Sequence, residues 1–117
     1  MGKKFGCVEL NGVVIYNTTP HTIRFFSKDG EVWLEIPRAS EPLYVPEINR
    51  FCGALEGVPI FSRMFGGDYL PSPQNNVYFI VRADVATVFH HRNDFLIPYG
   101  AEESDGVINC IGLAFME

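Results

Sequence analysis

Positive charge is scarce in this 117-residue chain: nine Lys and Arg stand against fourteen Asp and Glu, a net charge of −5. A general nucleic-acid binder needs a basic face to displace counterions from phosphates, so that class is set aside. A local basic pocket for a small anion stays open, because net charge describes the molecule and not its clefts. Cysteine is sparse too. Cys7, Cys52 and Cys110 are odd in number and widely spaced, which is neither a disulfide framework nor a zinc knuckle and suits a reducing cytosol. Met1-Gly2-Lys3-Lys4 leads into no long apolar run, so neither a signal peptide nor a membrane-spanning helix is expected. Gly2 lacks the following Ser or Thr that myristoylation wants. The expected location is cytoplasmic.

Catalytic and metal templates are missing as well. The sequence has no Gly-x-Ser-x-Gly elbow, no phosphate-binding glycine loop before a helix and no His-Glu-x-x-His. His90 and His91 are adjacent, and neighbours on a helix point about 100° apart, too divergent to chelate one ion. No metal and no cofactor are expected.

What is abundant is apolar and aromatic: 47% of residues are hydrophobic, with ten Phe, five Tyr and one Trp, a composition that favours strands and a packed core. A single domain over residues 1–117 fits this length. Turn residues recur every eight to twelve positions, as in a sandwich or small barrel. Asn11-Gly12 joins Val8–Leu10 to Val13–Tyr16, Lys28-Asp29-Gly30-Glu31 joins Ile23–Ser27 to Val32–Ile36, and Glu56-Gly57 joins Phe51–Leu55 to Val58–Ser62. Val77–Val81 reads as a central strand covered on both faces. Phe95–Ile97 and Val107–Phe115 supply two more. Ala83–His91 has helical spacing at Val85, Val88 and Phe89, with Asp84 in the first turn. The spacing predicts two to three helical turns ending near Asn93. Arg38–Pro46 and Met64–Asn76 read as ordered loops, the second long enough to be functional. The fold class is mainly β, or α+β: a compact antiparallel sheet or small barrel with one short helix near residues 83–92.

Polar chemistry collects in two places. The corner Asn17-Thr18-Thr19-Pro20-His21 interrupts two apolar strands, and Pro20 fixes the backbone so that His21 leaves it in a defined direction. Asn17 and the threonines can simply cap backbone amides. Alternatively Thr19 and His21 face a pocket. The second cluster surrounds the helix. There Arg92 and Asp94 form a structural ion pair at its exit, whereas Arg82, closing the central strand, must find a carboxylate, a carbonyl or a ligand anion. Cys110 lies in an apolar run and reads as an inert buried thiol, although a Cys110–His21 dyad stays open. Gly66-Gly67-Asp68 reads as a flexible turn rather than an anion nest.

The order of landmarks resembles a family of small, mostly uncharacterised phage and bacterial proteins that open on Asn-x-Thr-Pro-His, here Asn17-Thr18-Thr19-Pro20-His21. Ile36-Pro37, Leu43-Tyr44-Val45, Gly57-Val58-Pro59, Leu70-Pro71-Ser72-Pro73, Tyr78-Phe79-Ile80-Val81, Arg92-Asn93-Asp94 with Pro98, and Gly106 with Cys110 follow in the family's order. The likeness runs from about residue 13 to residue 115. The hairpin within residues 1–12 is an extension beyond it. The resemblance implies a phage-type accessory or anti-defence protein working in the bacterial host cytoplasm.

The leading expectation is a non-enzymatic binding protein that captures a small anionic, nucleotide-like ligand or a host protein. Asn17, Thr19, His21, Arg82, Arg92 and Tyr78 would form the site, with Phe65 or Tyr78 to stack on a base, and Asp84, Asp94 and Cys110 would be structural. A protein–protein or structural accessory module, with self-association into a homo-oligomer, is the second expectation. A small hydrolase or transferase using His21 as general base, with Cys110 or Asp94, is the third.

Overall fold

A computed structural model of the protein describes residues 4–44, 47–65 and 70–116. The chain is mostly β. Its strands are β1 (Gly6–Leu10), β2 (Val13–Asn17), β3 (Thr22–Phe26), β4 (Val32–Ile36), β5 (Glu47–Leu55), β6 (Val58–Phe65), β7 (Val77–Ile80), β8 (Phe95–Tyr99), β9 (Glu102–Ser104), β10 (Val107–Cys110) and β11 (Gly112–Phe115), with one helix, α1 (Ala83–Val88). They form a five-stranded sheet of order β1-β2-β7-β8-β11, a four-stranded sheet of order β4-β3-β10-β9 and the separate hairpin β5-β6. The sheets stay open and do not close into the small barrel that the turn spacing also allowed. Nor is the pairing antiparallel throughout: β2–β7, β7–β8 and β3–β10 are parallel.

The three expected hairpins form. Asn11 and Gly12 both take positive φ, as do Glu56 and Gly57, which matches the twist of the flanking strands. Two expectations need correction. Residues 107–115 are two strands: β10 lies in the four-stranded sheet and β11 in the five-stranded one, with exposed Ile111 between them. The helix is also shorter than its pattern, six residues, ending at Val88 rather than near Asn93. Phe89 must be buried and Arg92 must reach Pro71 and Asp94, so the chain leaves the helix early and descends through turns.

Alternation along the strands builds two cores. Ile15 and Ile80 on one face of the five-stranded sheet pack against Ile23, Phe25, Ile36 and Cys110 of the other sheet. On the opposite face Tyr16 stacks on Phe79 with ring centroids 5.5 Å apart, and Val85, Ala86 and Phe89 of α1 cover them. Phe5, Ala39 and Leu43 extend this second core under the loop at 38–43. Gly6 of β1 presses on the Pro37 backbone so closely that any Cβ there would collide with its carbonyl oxygen.

Candidate functional site

The corner between β2 and β3 carries the chain from one sheet to the other, and its polar side chains are largely consumed in doing so. Asn17 is fully buried. Its amide nitrogen donates to the carbonyl oxygens of His21 (2.8 Å), Pro37 (3.0 Å) and Ile36 (3.3 Å), while its Oδ1 accepts from the Thr19 N–H (3.0 Å) and hydroxyl (2.7 Å). The Thr18 hydroxyl donates to the Ile80 carbonyl at 2.7 Å. Ala39 and Leu43 donate backbone N–H groups to the carbonyls of Thr19 and Thr18, tying the following loop to the same corner. A buried polar cluster with this many partners is rigid.

Above it opens a hollow of about 270 Å³ lined by Thr19, His21, Arg82, Ile97, Pro98 and Ile108, among others. Topology explains the convergence. Because β2, β7 and β8 run parallel, the corner after β2 and the Arg82 step after β7 emerge at the same end of the sheet. The floor and walls are mainly apolar, from Val81, Ala83, Ile97, Pro98, Ala101 and Ile108. Two ionisable groups face it. His21 Nε2 lies 2.9 Å from Glu103 Oε1, so the β9 strand anchors the imidazole when it carries a proton. The Arg82 guanidinium sits 5.2 Å from the centre of the Tyr44 ring and 3.4 Å from Asp84 Oδ1. Both side chains of that ion pair are more than two-fifths exposed, so it holds Arg82 weakly, and among the described residues the other guanidinium donors stay open to a guest.

The remaining candidates lie elsewhere. Arg92 is locked: Nε and Nη2 engage both Asp94 carboxylate oxygens at 2.8 Å, Nη2 also donates to the Pro71 carbonyl at 2.9 Å, and the group lies 4.2 Å over the Phe95 ring. Side-chain exposure of 12% and 8% marks the pair as scaffold, beside a separate surface depression that holds His90 and His91. Tyr78 shares a face with Ile15, the face turned to the second sheet, and does not line the hollow. Asp84 stands in the first turn of α1, its Oδ1 accepting from the Val85 N–H at 2.9 Å. Cys110 is buried between the sheets, and desolvation pushes its thiol above the ordinary value of 9.0, disfavouring the thiolate a nucleophile needs. Gly66-Gly67-Asp68 and the Phe65 side chain lie outside the described residues. Among the described residues, no group of three or more His, Cys, Asp or Glu could hold a metal ion.

Sequence reasoning missed Glu103 and Tyr44. Glu103 sits on β9, whose Glu-Glu-Ser sequence has no strand signature and pairs because the Asp105-Gly106 turn returns the chain onto it. No helix is long and apolar enough to cross a membrane, among the described residues. Set against family models, curated proteins and solved structures, the chain finds no match.

Proposed function

We propose that the protein is a non-enzymatic binding protein that captures a small ligand with an apolar body and one anionic head in the hollow beside the β2–β3 corner. A phage-encoded, nucleotide-sequestering role in a bacterial host is the concrete form of this reading. The single observation that carries it is the meeting of His21 and the loosely held Arg82 over an apolar floor. Small-molecule sites are mostly apolar clefts with a few convergent polar groups, and about 270 Å³ lies just under their usual lower size. That volume favours a compact ligand. Arg82 would offer paired donors to a carboxylate or phosphate, and protonated His21 would add a second charge. Asp84 and Glu103 flank them, so a guest would have to displace carboxylates already present, which disfavours a polyphosphate-sized cluster of charge.

Calorimetry with cyclic mononucleotides, each carrying a single anionic phosphodiester, tests the reading. Binding by the intact chain is expected, weakened about tenfold or more by Arg82→Ala, in keeping with the loss of a hydrogen bond to a charged group. Arg92→Ala should leave affinity unchanged in the fraction that folds. Absence of heat with every ligand would remove the support for sequestration. The rival reading, a protein–protein module, draws its support from another part of the molecule, the β5–β6 hairpin.

A further inference from the structure

Neighbours on a helix diverge too far to share an ion, but His90 and His91 are not on the helix. Because α1 ends at Val88, both stand on the turn that follows, exposed, at the edge of a depression of about 290 Å³. There the two ring centres lie 6.4 Å apart, with the ring planes crossed at 80°. Two imidazoles sharing one ion put their ring centres at most about 6.4 Å apart, because each contributes a metal–nitrogen bond of about 2.0–2.1 Å and about 1.1 Å from nitrogen to ring centre. The pair is therefore within reach of a single ion in near-linear coordination. Rings on opposite sides of such an ion can be crossed without clashing.

A second feature prepares His90 for that task. Its Nδ1 lies 3.2 Å from the Thr87 carbonyl oxygen. A carbonyl only accepts, so Nδ1 carries the proton in this bond and the lone pair of the neutral ring is left on Nε2. Tying one ring nitrogen to a backbone carbonyl is how proteins orient a ligating histidine and raise its basicity. The His91 ring makes no hydrogen bond among the described residues. Its contacts are with the rings of Phe89, 6.3 Å away, and His90.

The other walls of the depression select the ion. They come from Arg92, Asn93, Phe115 and Met116. Met116 brings a thioether, a soft and uncharged donor, and the exposed Phe115 ring brings an apolar surface. Arg92 repels a cation little, since both Asp94 carboxylate oxygens already hold its guanidinium. Structural zinc favours thiolates, and calcium favours carboxylates, yet neither group borders the depression among the described residues. Imidazole with thioether suits monovalent copper, which accepts soft neutral donors at low coordination number.

We propose that His90, His91 and Met116 bind one monovalent copper ion, through the two imidazoles with the thioether as third ligand. This site is separate from the hollow beside the β2–β3 corner and is independent of any ligand there. Anaerobic titration with copper(I) against the coloured chelator ferrozine is the test. It uses the full chain carrying Cys7→Ser and Cys52→Ser, because those two exposed thiols would take copper by themselves. One equivalent per chain should move from the chelator to the protein. On that background His90→Ala and His91→Ala, each shown to be folded by circular dichroism, should weaken affinity about a hundredfold, since groups that merely orient a ligand are worth about 10–100-fold. X-ray absorption of the loaded protein should show a sulfur neighbour that disappears in Met116→Leu, a substitution that keeps the volume packed on the helix-side core. Zinc alone should bind far more weakly. No transfer from the chelator, unchanged affinity in either folded histidine variant, or zinc bound as tightly as copper would overturn the proposal. A sulfur signal surviving Met116→Leu would also overturn it, by pointing to the remaining thiol of Cys110.

Discussion

Asn17 shows how one side chain can hold a fold together. Its amide satisfies three carbonyl oxygens, two of them from the distant segment at Ile36 and Pro37, and its oxygen satisfies Thr19. Asn17→Ala should cost about 3 kcal/mol, since each buried partner left unsatisfied carries a desolvation penalty. Asn17→Asp should be worse at neutral pH, because it turns a donor facing three carbonyls into a charged acceptor. Urea unfolding with an unchanged m-value checks both. The stiffness of this corner was legible from Pro20 and its polar neighbours, because turn chemistry is local. That Asn17 serves the scaffold while Thr19 and His21 border the hollow was not legible, for the choice depends on where Ile36 and Pro37 return.

Among the elements, the exit of α1 is the clearest case of tertiary contacts overriding a local pattern. The helical spacing continues to Phe89, yet the helix stops at Val88 so that Arg92 can clamp Asp94 and the Pro71 carbonyl. Arg92→Ala leaves the Asp94 carboxylate buried without its cation. Stability should drop by about 3 kcal/mol. Arg92→Lys should recover only part, since an ammonium cannot reproduce the two-pronged contact. Thermal unfolding of the two variants side by side measures the difference. The pairing of Arg92 with Asp94 could be read from their spacing, whereas the Pro71 contact joins residues 21 positions apart and left no trace in the pattern. The hairpins were legible for the same reason as the corner: Asn11-Gly12 and Glu56-Gly57 set their own register. The split of residues 107–115 was not, because an uninterrupted apolar run looks the same whether it serves one sheet or two.

For the whole molecule, strand order was beyond the sequence. Nothing local in β7 says that it lies parallel between β2 and β8, and that placement is what brings Arg82 to the same end as His21. The β5–β6 arm was legible as a hairpin but not as a protrusion, since only the finished packing shows that its strands make their extensive contacts with each other.

The strand switch at Ile111 has a mechanical meaning. With β10 in one leaf and β11 in the other, the Asn17 corner bridging the leaves between β2 and β3, and the step from β8 to β9 bridging them once more, the sandwich is stitched at three seams by unbroken backbone. Prying the leaves apart would have to tear all three seams within the same event, so neither sheet has a route to peel away while its neighbour stays whole.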